Sequence, residues 1–148
     1  MYIVWELPDK SLAVTQILGN RDANVEIQKI QAEKPEFTHK LTTANTAFMQ
    51  KMPIDMFFKA IEIDESNEPV YNMVKARNIW RDKIRNDRYR KLKELDVEFQ
   101  KALETNDSVK MADVVAKKQI LRDAPNDPAI DAANTLKELQ EVYPELLK

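Results

Sequence analysis

From Met73 to Leu103, apolar side chains recur at steps of three and four residues, with one polar interruption at Arg88. This spacing places the apolar side chains on one side of an α-helix. The pattern predicts one long helix over residues 73–105, which at 1.5 Å per residue is roughly 50 Å long. A chain of 17.2 kDa cannot cover such a helix on every side. The apolar positions are Met73, Ala76, Trp80, Ile84, Leu92, Leu95, Phe99 and Leu103.

A second helix is predicted over residues 108–123, because Asn106-Asp107-Ser108 breaks the first helix and offers a cap for the next. So short a connection favours an antiparallel hairpin. The apolar stripe of the second helix is Val109, Ala112, Val115, Ala116 and Ile120. We therefore expect Trp80, Ile84, Leu92, Leu95 and Phe99 to pack against Ala112, Val115, Ala116 and Ile120.

A short last helix is predicted after the hairpin, which Pro125 and Pro128 end. Thr135 and Glu138 have the spacing of a capping box, in which the first residue caps the helix and the second lies three positions later. This helix should stop near Pro144.

Residues 1–72 have a different pattern, in which β-branched and aromatic runs alternate with turn-forming clusters. Residues 49–58, which contain Pro53, have no clear period. The fold class is therefore α+β, with a small mixed head over residues 1–72 and a helical hairpin with a short terminal helix over residues 73–148. Within the head we predict strands at about 2–7, 11–18, 37–43, 56–63 and 69–73, and a helix at about 22–33.

Several classes of chemistry are excluded by composition. The chain has no cysteine, which excludes disulfides, thiolate catalysis and cysteine-based zinc sites, and Gly19 alone cannot build a phosphate-binding loop. His39 is the single histidine, and none of the serines has the sequence context of an activated nucleophile. We therefore expect no catalytic residues, no metal site and no cofactor. No apolar run approaches the roughly 20 residues that a membrane span requires, so no membrane partner is expected either.

The clearest charge feature is basic. Residues 75–93 carry nine basic and two acidic side chains, a net +7 in a chain whose formal net charge is -2. With Trp80 and Tyr89, such a segment can bind the phosphates and bases of a nucleic acid. It can equally be a solvated helix face or a surface that docks on an acidic partner, and the sequence leaves these alternatives open.

Three segments of the helical half resemble a family of small tailed-bacteriophage proteins described as tail-fibre assembly proteins or chaperone-like accessory proteins. The first is Ala76-Arg77-Asn78-Ile79-Trp80-Arg81-Asp82-Lys83-Ile84-Arg85, with Leu95-Asp96-Val97-Glu98-Phe99 and Ala102-Leu103-Glu104 after it. The second is Lys117-Lys118-Gln119-Ile120-Leu121-Arg122-Asp123-Ala124. The third is Asp127-Pro128-Ala129-Ile130, together with Leu136-Lys137-Glu138-Leu139. Together they cover about half of the chain.

The resemblance implies a noncatalytic protein that binds phage tail or tail-fibre subunits, which are commonly trimeric, as an assembly chaperone or as a structural component of the virion. It also implies a location in the host cytoplasm during assembly, with retention in the virion tail as an open alternative. Self-association and a nucleic-acid-binding accessory role remain as other hypotheses. Aromatic and arginine side chains are enriched at binding hot spots. The predicted partner-binding residues, which lie off the main apolar stripe of the long helix, are Arg77, Ile79, Arg81, Arg85 and Tyr89.

Overall fold

A computed structural model describes residues 1–44, 46–52 and 55–148, and these form two compact units, Met1–Ala76 and Arg77–Lys148. The predicted α+β class is confirmed, with strands and short helices in the first unit and helices in the second. The strands are β1 Tyr2–Glu6, β2 Leu12–Gln16, β3 Thr38–Thr43, β4 Ile61–Ile63 and β5 Pro69–Tyr71. The helices are α1 Ala23–Glu33, α2 Thr46–Gln50, α3 Met73–Glu104, α4 Ser108–Asp123, α5 Pro128–Ala132 and α6 Leu136–Glu141. Every helix of the described residues is too short or too polar to cross a membrane.

The first unit is built on a three-stranded antiparallel sheet with β1 in the centre, between β2 and β3. Alternate side chains of β1 enter two different clusters. Ile3 and Trp5 pack with Ile17 and with half-buried side chains of α1, whereas Val4 packs with Phe48 and other residues. Both faces of the central strand are therefore buried, which accounts for its nearly continuous apolar sequence.

The second strand pair of the first unit is shorter than predicted. Phe58–Ala60 forms a turn of 3-10 helix, so β4 begins only at Ile61. The turn between β4 and β5 is held by Asp64, whose carboxylate accepts the main-chain N–H groups of Ser66 and Glu68, each at 2.9 Å. Helix α2, which ends at Gln50, is not predicted by the sequence. Pro53, in the segment without a clear period, lies outside the described residues.

The helical hairpin has the predicted bounds to within one residue. At the end of α3 the Asp107 N–H donates to the carbonyl oxygen of Ala102 at 2.8 Å, and the Asn106 N–H donates to that of Leu103 at 3.1 Å. This is a Schellman motif, and Asn106 takes the left-handed conformation that it requires, with φ 52°. Asp107 then caps α4 by accepting the main-chain N–H of Lys110 at 3.0 Å.

The chain after α4 forms one helix more than the sequence predicted. Asp127 caps α5 and Pro128 occupies its first turn, which is a common beginning for a helix. The predicted capping residue Thr135 is confirmed, because its hydroxyl accepts the Glu138 N–H at 3.2 Å. The last predicted helix, α6, ends before Pro144 as expected.

Candidate partner-binding surface

Three arginines of α3 bind the C-terminal part of the second unit. Arg77, Arg81 and Arg88 each donate to main-chain carbonyl oxygens at the ends of helices or in the turn after α4, where carbonyls lack a partner within a helix. The distances are 2.8 Å from Arg77 Nη2 to the oxygen of Ala133, 3.2 Å from Arg81 Nε to that of Pro125 and 2.7 Å from Arg88 Nη1 to that of Arg122. Arg81 Nη2 also lies 2.6 Å from the carboxylate of Asp131. These arginines therefore stabilise the fold of the second unit.

This arrangement corrects part of the predicted partner-binding set. We expected the hairpin to leave Arg77, Ile79, Arg81 and Tyr89 uncovered, since they lie off its apolar stripe. The first three are less exposed than expected: Ile79 is half-buried, and the guanidinium groups of Arg77 and Arg81 are bound to the segment after α4. Their role in partner binding stays a prediction. The segment after α4 covers a side of α3 that the hairpin alone leaves free.

The remaining predicted residues, Arg85 and Tyr89, are exposed on α3. Arg85 Nη1 forms an exposed ion pair with Asp82 at 2.7 Å. Tyr89 is 63% exposed, and Lys93 Nζ lies 4.5 Å from the centre of its ring. Both residues are thus accessible to a partner.

Trp80 anchors the end of the chain to α3. Its indole N–H donates to the carbonyl oxygen of Val142 at 2.8 Å, and its ring lies 5.7 Å from that of Tyr143. The Tyr143 hydroxyl donates to the carboxylate of Asp87 at 2.7 Å, and Lys83 binds the same carboxylate. Trp80 is only 4% exposed. Trp80 thus binds the segment after α6, whereas the residues of α4 that it was expected to pack against, Ala112, Val115, Ala116 and Ile120, are exposed.

The charges of this cluster favour one protonation state. Burial raises the pKa of Asp87, but the hydrogen bonds from Lys83 and Tyr143 more than offset this effect, so the pKa lies below its usual range. The bond to Asp87 raises the pKa of Lys83, and burial together with Asp87 raises the pKa of Tyr143. The shifts favour an ionised Asp87 carboxylate beside a protonated Lys83 and a protonated Tyr143.

The buried face of α4 differs from the predicted one. Val114 and Leu121 are fully buried and pack with Leu95 and with half-buried Leu92 and Phe99. The predicted inner residues Ala112, Val115, Ala116 and Ile120 are all exposed, so this prediction is wrong. As predicted, Leu92, Leu95 and Phe99 of α3 pack against α4.

Lys118 explains why the sequence favoured the wrong face. It lies between Val114 and Leu121 in the inner stripe, and a lysine at this position makes the stripe look interrupted. Its ammonium group forms an ion pair with Asp96 at 2.6 Å and lies 5.1 Å from the ring centre of Phe99, and its side chain is 11% exposed. Lysine can bury its aliphatic stem while the charged group reaches a partner at the edge. The stripe of α4 that Lys118 interrupts is therefore the buried one.

The other stripe of α4 forms an exposed apolar surface, which we call the α4 outer face. Its residues are Val109, Ala112, Val115, Ala116 and Ile120. Val109 is 80% exposed, Ile120 56% and Val115 50%. Single exposed apolar residues are common, but a row of them along one helix is typical of an interaction surface. The sequence shows this apolar stripe, but the prediction places it in the core of the hairpin.

A groove continues the α4 outer face at its C-terminal end, where Ile120 lines both. Its volume is about 760 Å³, and it is formed by the end of α4, the turn that follows and the residues after α6. Its apolar lining includes Ala124, Pro128, Val142 and Pro144. Among the described residues that line it, three are acidic, Asp123, Asp127 and Glu141, and none is basic. No group of histidine, aspartate or glutamate side chains in the described part of the chain is arranged to hold a metal ion.

Comparisons of the chain with protein families, with curated proteins and with solved structures find no match.

Proposed function

We propose that this protein is a noncatalytic bacteriophage tail-associated protein that binds tail or tail-fibre subunits, either as an assembly chaperone or as a structural component of the virion. The observation that carries the binding role is the exposed α4 outer face: α4 has two apolar stripes, and its own hairpin buries only the stripe of Val114 and Leu121. The phage assignment rests on the sequence resemblance of the helical half.

The α4 outer face suits an apolar partner. Val109 and Ile120 lie eleven residues apart, which on a helix is about 16 Å, and small alanines between them allow another helix or strand to approach closely. Covering these side chains removes apolar surface from water, which is the main favourable term in protein association. A chaperone would release the surface once the fibre subunits assemble, and a virion subunit would keep it covered. The proposed location is the host cytoplasm during assembly, with retention in the tail in the second case.

The experiment is co-expression of the chain with tail and tail-fibre subunits of the phage that the proposal implies, followed by size-exclusion chromatography. We expect a complex, and we expect Val109→Asp combined with Ile120→Asp to raise its dissociation constant by at least about tenfold, because two carboxylates would be desolvated at the interface. Circular dichroism should show an unchanged helix content, since both side chains are exposed.

Tyr89→Asp is a control, because it places a single carboxylate at an exposed aromatic position of α3 and should leave the fibre complex intact. Loss of binding in Tyr89→Asp with binding retained in the α4 variant would move the interface to α3. Charge reversal at Arg77 and Arg81 is a poor test, since both hold the C-terminal segment. If neither tail nor fibre subunits bind, and virions lack the protein, the proposal fails.

The nucleic-acid alternative is disfavoured by how the basic residues are used. Each of the nine basic side chains in residues 75–93 contacts a carboxylate, a main-chain carbonyl oxygen or an aromatic ring. They also lie around α3 and do not form one stripe. A phosphate backbone is bound by a continuous basic surface, which these residues do not form, so we favour a protein partner.

We therefore expect no binding of a generic single-stranded oligonucleotide at physiological salt. Fluorescence anisotropy at several salt concentrations would check this, because phosphate contacts release counterions and weaken steeply between roughly 50 and 200 mM salt. Salt-sensitive binding that disappears when the exposed Arg85, Arg90 and Lys93 become glutamate would favour the nucleic-acid role.

A further inference from the structure

We infer that the acidic groove beside α4 binds a second copy of this chain, through the exposed face of α3 formed by Arg85, Tyr89 and Lys93. The two surfaces are complementary in charge. The described lining of the groove contains three carboxylates and no cation, whereas the face of α3 presents two exposed cations, Lys93 and Arg85, the second of which also pairs with Asp82. Such pairs of surfaces attract one another and set which partner binds.

Both surfaces combine apolar and charged side chains. Arg85, Tyr89 and Lys93 follow one another at steps of four, so they lie along one side of α3 over about 12 Å. Tyr89, between the two cations in this row, is 63% exposed. The lining of the groove includes the apolar side chains of Ile120 and Val142 as well as the carboxylates. Tyr89 of one copy would contact these apolar side chains while Arg85 and Lys93 meet the carboxylates.

The same contact does not form within one chain, because Tyr89 does not line the groove and remains exposed. A contact between two different surfaces of identical chains is heterologous, and it continues to a third copy unless the assembly closes into a ring. The association is thus predicted to depend on concentration and salt and to pass beyond a dimer. This inference concerns the chain alone and does not depend on the phage partner.

Sedimentation velocity of the purified full chain tests the inference. At low salt the mass should rise above 17.2 kDa with concentration, and screening at roughly 0.5 M salt should return it toward the monomer. Two variants break the contact from opposite sides: Asp123→Lys with Glu141→Lys in the groove, and Arg85→Glu with Lys93→Glu on α3. Each alone should raise the dissociation constant at least about tenfold.

Mixing the two variants gives the decisive result. In the mixture, the unmodified groove of the α3 variant can bind the unmodified α3 face of the groove variant. The modified groove and the modified α3 face both have reversed charges. The expected product is a complex with at least one copy of each variant, formed only in the mixture. Lys101→Glu with Lys110→Glu is the control, because it makes the same change in net charge as the α3 variant at other exposed positions and should not prevent association. A chain that stays monomeric at every concentration, or association that neither variant weakens, would overturn the inference.

Discussion

Replacement of Trp80 by alanine is expected to lower the free energy of unfolding of the second unit by about 3–5 kcal/mol. The side chain is 4% exposed, its N–H donates to the Val142 carbonyl oxygen, and its ring packs against Tyr143. Alanine removes all three contributions and leaves a cavity beside α3. The measurement is urea unfolding followed by far-ultraviolet circular dichroism, which reports the helices of this unit.

Two further variants separate the contributions. Trp80→Phe keeps an aromatic ring but loses the donor to Val142, so it should cost less, on the order of 1–2 kcal/mol. Tyr89→Ala removes an aromatic side chain that is exposed on the same helix, and it should change stability by about 0.5 kcal/mol or less. A loss below about 1 kcal/mol for Trp80→Ala would contradict the buried position of the indole.

The lengths of the helices could be predicted from the sequence because local signals mark their ends. The apolar period of α3 and the Asn106-Asp107 pair define the hairpin, and both residues act as the helix-termination and capping rules require. Helix α5 is absent from the prediction although Asp127-Pro128 is a recognised beginning of a helix, because two prolines close together also indicate the end of the hairpin.

The assignment of surfaces was less successful, because it depends on contacts between residues distant in sequence. Periodicity shows that α4 has apolar stripes, but which stripe is buried depends on α3, and Lys118 makes the true inner stripe look polar. In the same way, nothing local indicates that Arg77 and Arg81 would meet carbonyl oxygens about 50 residues later. Tyr89 and Arg85 kept their predicted exposure, since no later segment covers them in the described structure.

Substituting aspartate for Val114 is expected to unfold the helical hairpin at room temperature or to lower its stability by about 3–5 kcal/mol or more. Val114 is fully buried among apolar side chains, so an introduced carboxylate would be desolvated, and Lys118, one turn away, is already paired with Asp96. A loss of this size is comparable with the whole stability of many small domains. Thermal unfolding followed by circular dichroism measures the effect.

Val115→Asp is a closely matched control, because it makes the same chemical change at the next residue of the same helix. Val115 is 50% exposed on the α4 outer face, so the new carboxylate stays hydrated and the stability should change by about 0.5 kcal/mol. The same variant should weaken the complex with a fibre subunit, because there the side chain would be covered by the partner. The sequence-based assignment of Val115 to the core predicts the reverse order of stabilities, with Val115→Asp the more destabilising. The pair of variants therefore decides which stripe of α4 holds the hairpin together and which is left for a partner.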